Sequence, residues 1–409
     1  MTVRRTRLGR AAAELLTLPV ACAALLVAGA GSVPATTLPS NHRPATTPLV
    51  QPVAVFGRDD RVQLPGKLAA LETKIGLLYD RRTRSVCTAF CVSERIIATA
   101  GHCVFRTSEE KPPPLGGYLF RLRGVKPEAS SSIAAAANGG GSQNVLSGAM
   151  RINTRPPIDA SRDWALLKLT KPVCSKGVLR LTRRSPEELM QLGKAKQIYQ
   201  VAYHRDFANW KLAYGPACEV RRDFEKAPWG NIARDFTEAN HLVLHTCDTG
   251  GASSGSPLLT DGPQGPEVVG INVGTYVQSR VLMQEGEVIK RFKADTVANT
   301  GVSTSAFAGK LDAFQRAEIL GKPDDLKQLQ LMLASRGLYR GKADGTYGPQ
   351  LRAAIEAFER EENRPVTGLA TVALLQRLSV VASGAPKPAT VKIEGEGLIS
   401  RGQKTRRER

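Results

Sequence analysis

A serine hydroxyl becomes a useful nucleophile only when an imidazole can take its proton and a carboxylate fixes that imidazole's tautomer and stabilises its charged form. The chain offers five imidazoles: His42, His102, His204, His241 and His245. His102 sits in "RIIATAGHC", where an apolar strand runs into small residues and a cysteine able to pin the turn. That setting holds a ring rigid. Asp163 opens "DWALLKL" and enters a strand whose Ala165, Leu167 and Leu169 share its face. Three serines, Ser253, Ser254 and Ser256, crowd "HTCDTGGASSGSPLL", residues 245–259. A lone aspartate at a strand start is ordinarily a cap, and a serine-rich turn is ordinarily solvated. Neither role explains why all three groups arrive together.

The elements that must hold these groups are short. From about residue 53 to 306, apolar runs such as "KIGLLYD", "RIIATAG", "WALLKL", "HLVLH" and "EVVGINVGTYV" are separated by Gly, Pro, Asn and Asp. Strands of this length and spacing predict an all-β domain of about 250 residues, a size at which barrels remain single domains. Within it, "EASSSIAAAANGGGSQN" is low-complexity and lacks the G-K-[ST] ending of a phosphate loop, so it reads as a flexible surface insertion.

"ATAGHC", "DWALL" and "SSGSP", in that order, resemble the chymotrypsin-like serine proteases, and the resemblance covers most of residues 53–290. With "GRDDRV" upstream, "AGHC" and "SGSP" are more similar to the bacterial glutamyl endopeptidase branch than to animal trypsins. That branch's nucleophile loop, D-T-x-G-G-x-S-G-S-P, laid on Asp248 to Pro257, puts the nucleophile at Ser254. The resemblance then implies His102 as general base, Asp163 as its orienter, and the N–H groups of Ala252 and Ser254 as the oxyanion hole. Gly255 would allow close backbone approach, Ser253 would point away, and Ser256 would be structural. The implied fold is an all-β double barrel (chymotrypsin-like), followed by a small all-α three-helix module.

Two departures from the family pattern carry consequences. Residue 252 is Ala where the family usually has Gly, which adds a Cβ at an oxyanion-hole backbone position. A working hole that demanded a backbone conformation awkward for Ala would be prone to flip or stay incomplete, and one lost donor costs on the order of 3 kcal/mol of transition-state stabilisation. Residue 253 is Ser where animal trypsins have the Asp that pairs with a freshly cut N-terminus, so that switch is absent. For the substrate pocket the resemblance points to Asp248, Thr249, Asn272 and Gly274. Asn272 replaces the histidine that glutamyl endopeptidases use in G-I-H, which disfavours Glu and leaves a small polar or basic side chain as the expected preference.

The amino terminus reads as an export signal. Arg4, Arg5, Arg7 and Arg10 precede an apolar stretch that ends in small residues, with cleavage expected near Ala28 and Ala30 or near Val33 and Ala35. Pro19 and the shortness of the run count against a permanent span. Residues 1–35 are assigned to the signal and 36–52, rich in Thr and Pro, to a linker or propeptide. Loss of Cys22 with the signal leaves Cys87, Cys91, Cys103, Cys174, Cys218 and Cys247. Six cysteines in an exported chain read as three disulfides, with 15 pairings open by spacing alone. The family spacing implies Cys87 with Cys103; the assignment continues with Cys218 to Cys247, bracing the nucleophile loop, and Cys91 to Cys174. No C-x-x-C or H-E-x-x-H is present, so neither metal nor cofactor is expected. The 57 Lys and Arg against 37 Asp and Glu, a formal charge of +20, favour anionic envelope polymers as partners. Nucleic acid is not expected, because no basic and aromatic residues interleave.

Composition changes after residue 306. "DDLKQLQLMLASRG" places Leu326, Leu329 and Leu333 on one helical face, is capped by Asp324 or Asp325, and stops at Gly337. A second helix carries Leu351, Ala354, Ile355 and Phe358, and "TGLATVALLQRLS" predicts a third. With its L-Q-x-x-L helix, its "GLYRGKADGTYGP" loop, "AIEAF" and "TG", residues 324–378 resemble the small peptidoglycan-binding domain of bacterial envelope enzymes. Asp344, Gly345, Tyr347 and Gly348 are the loop residues nominated for cell-wall contact. The expected layout is therefore a protease domain at 53–306, a linker at 307–322, the helical domain at 323–380 and a basic disordered tail at 381–409. Together these imply an exported serine endopeptidase of the periplasm, envelope or exterior, held at the cell wall. The competing reading is a catalytically silent protease fold acting as a wall-bound interaction protein.

Overall fold

The computed structural model describes residues 54–105, 115–123, 128–134, 144–225, 227–278, 281–284, 287–291 and 295–382. The expected signal, the linker or propeptide at 36–52, and the tail beyond residue 382 lie outside them, as does 135–143 of the low-complexity segment.

A two-residue strand, β1 (Val62–Gln63), precedes seven that form one antiparallel sheet: β2 (Ile75–Asp80), β3 (Ser85–Ser93), β4 (Ile96–Thr99), β5 (Tyr118–Leu122), β6 (Ala129–Ser132), β7 (Val145–Ser147) and β8 (Ala165–Lys168). Their order is β6-β5-β2-β3-β4-β8-β7. β4 is buried at all four positions, as its run Ile-Ile-Ala-Thr demands of a central strand covered on both faces. A bridge between Ile133 and Leu169 brings the end of β6 back to β8 and curls the sheet into a barrel. β6 thus occupies part of the stretch expected to be a flexible insertion: its Ser-rich backbone pairs with β5, and the pairing outweighs its weak strand propensity.

The second sheet joins β1 to β9 (Arg180–Leu181), β10 (Ile198–Tyr203), β11 (Leu212–Cys218), β12 (Leu242–His245), β13 (Pro257–Gly262), β14 (Gly265–Gln278) and β17 (Asp295–Ser303). A separate hairpin, β15 (Val281–Gln284) with β16 (Glu287–Arg291), leaves it between β14 and β17. The order β1-β11-β10-β13-β14-β17-β12 is closed by a bridge from Val220, just past β11, to His245. The protein is therefore an all-β double barrel in this region. Two short helices, α1 (Pro186–Lys194) and α2 (Trp229–Arg234), interrupt it. α1 starts at a capping box in which Ser185 and Glu188 each accept the other's backbone N–H.

After the barrels come α3 (Leu311–Arg316), α4 (Pro323–Ser335), α5 (Pro349–Glu361) and α6 (Val372–Ala382). The last three enclose their own core of Leu326, Leu329, Leu333, Leu351, Ile355, Phe358 and Leu378. α4 is not capped by Asp324 or Asp325. Pro323 starts its first turn after Lys322, and the two aspartates lie inside that turn, where the helix dipole favours them. Gly337, at φ +74°, ends it.

The stretch expected as a linker is built into both parts. Phe307 and Phe314 are fully buried in the barrel core, and Phe307 stacks on Trp164 with ring centroids 5.3 Å apart. Leu320 donates its N–H to Ala370 O and Val372 to Glu318 O, at 2.9 and 3.0 Å. On α5, Arg352 donates to Ser147 O at 2.6 Å and Ser147 Oγ at 3.0 Å, which ties the helical module to the end of β7. Among the described residues no helix is long and apolar enough to cross a membrane.

Candidate active site

β4 delivers His102 in a single tight turn at Gly101–Cys103, directly after its buried run. Three ties fix that turn. A disulfide joins Cys103 to Cys87 on β3, Thr99 Oγ1 donates to Thr88 O at 2.8 Å, and Asp163 Oδ1 accepts the His102 N–H at 2.7 Å. The other oxygen of Asp163 meets His102 Nδ1, also at 2.7 Å. Asp163 is 5% exposed and stands one residue before Trp164 and β8, which pairs with β4 through Thr99 and Ala165. One carboxylate thus fixes both the backbone and the ring of the same residue. That assigns Nδ1 as the protonated nitrogen and leaves Nε2 to accept a proton.

His102 and Ser254 line one cleft of about 470 Å³, together with Ser85, Val86, Cys87, Cys103, Thr249, Gly250, Gly251, Ala252, Ser253, Asn272, Gly274, Thr275 and Val277. Of the three loop serines only Ser254 is not buried. Ser253 Oγ takes a hydrogen bond from Asn272 Nδ2 at 3.2 Å, and Ser256 Oγ one from Gln200 Nε2 at 2.8 Å. Ser254 O accepts the Thr88 N–H at 2.9 Å, which presses the loop against β3. Gly255 has φ +83°, and a Cβ there would lie 2.1 Å from Thr99 Oγ1 and 2.3 Å from Thr88 O. Only glycine fits that approach.

The backbone donors of the loop divide into two sets. The N–H groups of Thr249, Gly250, Ser253, Gly255 and Ser256 are all bonded within the protein. Those of Gly251, Ala252 and Ser254 have no acceptor among the described residues. Ala252 holds φ +80°, the left-handed region that costs a Cβ-bearing residue strain, and its carbonyl is gripped by Thr88 Oγ1 at 2.9 Å. The conformation expected to be awkward for alanine is the one it adopts.

Thr249, Asn272 and Gly274 line the cleft, but Asp248 does not. Asp248 is 3% exposed, and its carboxylate is turned away to accept N–H bonds from Phe56 at 2.8 Å and Asp60 at 3.1 Å. A buried charge needs such partners, and two amides upstream supply them. With Asp248 engaged there, no carboxylate among the described residues lines the cleft, and the expectation of a basic side chain loses its counter-charge. Asn272 is also fully engaged: Nδ2 donates to Ser253 O and Oγ, while Oδ1 accepts from His245 Nε2 at 3.2 Å. Burial pulls the His245 pKa down to about 4, so the ring is neutral, with Nδ1 accepting the Cys247 N–H. His204 is likewise buried, with a pKa lowered to about 3, and His241 bonds Ser305 away from the cleft. His42 lies outside the described residues.

Disulfides join Cys87–Cys103, Cys91–Cys174 and Cys218–Cys247. The three potential metal ligands that cluster among the described residues, Cys87, His102 and Cys103, include both sulfurs of the first bridge, which are thereby spent.

In the helical module the four nominated loop residues bond groups of the module itself. Asp344 Oδ1 accepts from Gln330 Nε2 and the Thr346 N–H, Gly345 donates its N–H to Gln330 Oε1, and Tyr347 OH donates to Gly368 O. Gly345 has φ +73°, and Gly348 precedes the first residue of α5. Gln330, fully buried on α4, organises these contacts; it is the Gln of the L-Q-x-x-L motif, which by itself assigns it no role. A polar residue interrupting the apolar face Leu326, Leu329 and Leu333 is the signal that marks it.

Comparison with known proteins agrees with this division. Residues 87–271 match the trypsin-like peptidase domain, and residues 322–378 match the putative peptidoglycan binding domain. Two curated relatives, the localization factor PodJL of two strains of Caulobacter vibrioides, are 43% identical over 108 residues, which is 26% of this chain. The match spans about a tenth of those proteins' length, 10%. A solved structure of a Glu endopeptidase in complex with MPD superposes at 17% identity with a TM-score of 0.41, over 63% of this chain and 98% of that one.

Proposed function

We propose that this chain, which carries a trypsin-like peptidase domain and a C-terminal peptidoglycan binding domain, is an exported serine endopeptidase held at the cell wall. Ser254 Oγ attacks the scissile carbonyl as His102 Nε2 takes its proton. Asp163 holds the ring in place and stabilises the imidazolium. The carbonyl oxygen, now an oxyanion, is received by the N–H groups of Ala252 and Ser254. Collapse of the tetrahedral adduct breaks the C–N bond, and His102 gives its proton to the leaving amine. Water, activated in turn by His102, then releases the acyl group from Ser254.

The observation that carries this reading is the pairing of a buried Asp163 carboxylate with both His102 N–H and Nδ1, at the rim of a cleft shared with the one unburied loop serine. The primary pocket, with Thr249, Asn272 and Gly274 at its wall and no carboxylate among the described residues, suits a small, neutral polar side chain. Three disulfides and the helical module support an envelope or exported location, with peptidoglycan or another anionic polymer as the partner.

A fluorophosphonate probe tests the chemistry. Wild-type protein should be labelled and Ser254→Ala should not; a well-folded wild type that stays unlabelled favours the silent, wall-bound interaction protein instead. Co-sedimentation of the full chain with purified peptidoglycan tests the localisation.

A further inference from the structure

Ala252 stands at φ +80°, a conformation that costs a non-glycine residue about 1–3 kcal/mol and survives only where its surroundings over-determine it. The constraints come from outside the loop. Ala54 and Thr249 exchange both backbone hydrogen bonds, at 3.0 and 2.9 Å. The Asp248 carboxylate accepts the N–H groups of Phe56 and Asp60. Gly250 donates its N–H to His204 Nδ1 at 3.1 Å, and Gly251 O accepts the Arg205 N–H at 2.6 Å. A buried guanidinium couples the two outer segments: Arg61 forks onto Asp59, at 2.9 and 2.7 Å, and onto Asp206, at 2.8 and 3.2 Å. Asp206 lies so close to Gly250 that a Cβ there would meet its Oδ1 at 2.2 Å.

We infer that residues 54–61 are a built-in clamp of the nucleophile loop, in which Asp248 and Arg61 are positioning residues that keep the Ala252 amide directed at the oxyanion. The inference rests on the serine-protease reading above. It gives Asp248 a task other than binding substrate. It also explains how a chain with Ser253, and hence no carboxylate at that position for a freed amine, orders its loop. Every bonded group in the clamp is an interior amide or a side chain, so no new N-terminus is required and an N-terminal extension is compatible with activity.

The test follows the rate at which a fluorophosphonate labels Ser254 in four full-length proteins: wild type, Asp248→Asn, Ala252→Gly and the double variant. Asp248→Asn keeps the side chain's shape but removes its charge and one acceptor. It should slow labelling by about tenfold to 10²-fold, approaching the loss of one oxyanion donor. Peptide hydrolysis should fall in kcat with KM moving less than roughly threefold. Ala252→Gly in the double variant should restore most of the rate, because glycine holds a positive φ without the clamp. A merely structural role for Asp248 would not be rescued at residue 252. Should Asp248→Asn fail to fold, Arg61→Lys, which keeps the charge but cannot fork onto two carboxylates, should show the same loss and rescue. A folded variant that labels at the wild-type rate, or one whose loss persists when Ala252→Gly is added, overturns the clamp alone. A folded wild type that is not labelled overturns both the clamp and the protease reading.

Discussion

The two sides of the cleft are held by different kinds of structure. His102 and Asp163 stand at the ends of neighbouring strands, β4 and β8, and the ladder register of Thr99 with Ala165 brings them together. Ser254 stands on a loop with no ladder of its own, tethered one contact at a time to Thr88, His204, Arg205, Asn272 and residues 54–60. A register is set by many cooperating bonds, whereas a tethered loop depends on each anchor. The imidazole side should therefore fail only when its own chemistry is removed, and the hydroxyl side should be adjustable from a distance.

The largest effect tests the ladder side. Asp163→Asn should leave the fold intact, favour the wrong imidazole tautomer and lower kcat by about 10⁴-fold, read by peptide hydrolysis. A loss of only tenfold would mean that the ladder alone orients His102. On the loop side, Gly255→Ala has no space to enter and should cost about 3 kcal/mol or more, with loss of labelling and a lowered Tm. A variant that melts like wild type would show that the loop yields where this structure has it fixed.

Acid should loosen the loop side first. His204 and His245, whose pKa values are lowered to about 3 and about 4, are neutral in the fold but take protons near pH 6.5 once unfolded. The unfolded chain therefore binds more protons as pH falls below 6.5. Their contribution is complete above pH 6.5 and is lost on descent toward pH 4 for His245 and pH 3 for His204, by up to about 1.4 kcal/mol per unit for each histidine. Tm measured from pH 8 to pH 4.5 should be level and then decline; a level curve throughout would place solvent at both rings. The smallest effect concerns the helical module. Arg352→Ala should lower Tm by a few degrees through loss of its bonds to Ser147, with labelling of Ser254 changed by less than about twofold. A large loss of labelling would mean that the helical module also supports the ladder side.

Legibility in the sequence follows the same division. "RIIATAGHC" and "WALLKL" announce strands β4 and β8 because apolar composition is a local property, and the positions of His102 and Asp163 at those strand ends follow from it. The three module helices are legible for the same reason, through their 3.6-residue periodicity. α1 was equally legible, since Ser185-Pro-Glu-Glu188 is a capping box in plain sequence, yet the β-rich surroundings obscured it. β6 was not, because its Ala-Ser-Ser-Ser run acquires strand structure only from its partner β5.

By itself the sequence determined which residue types are available for catalysis, their order along the chain, and most of the elements that carry them, because these depend on chemistry within a few residues. Only the tertiary structure decided the fate of Asp248 and the backbone of Ala252. The Asp248 carboxylate finds its amide partners 192 and 188 residues upstream. Ala252 is held at φ +80° beside a threonine 164 residues away. Charge, size and periodicity are written locally, but the partner that satisfies a buried group is chosen by packing, and packing brings together segments that no spacing rule connects.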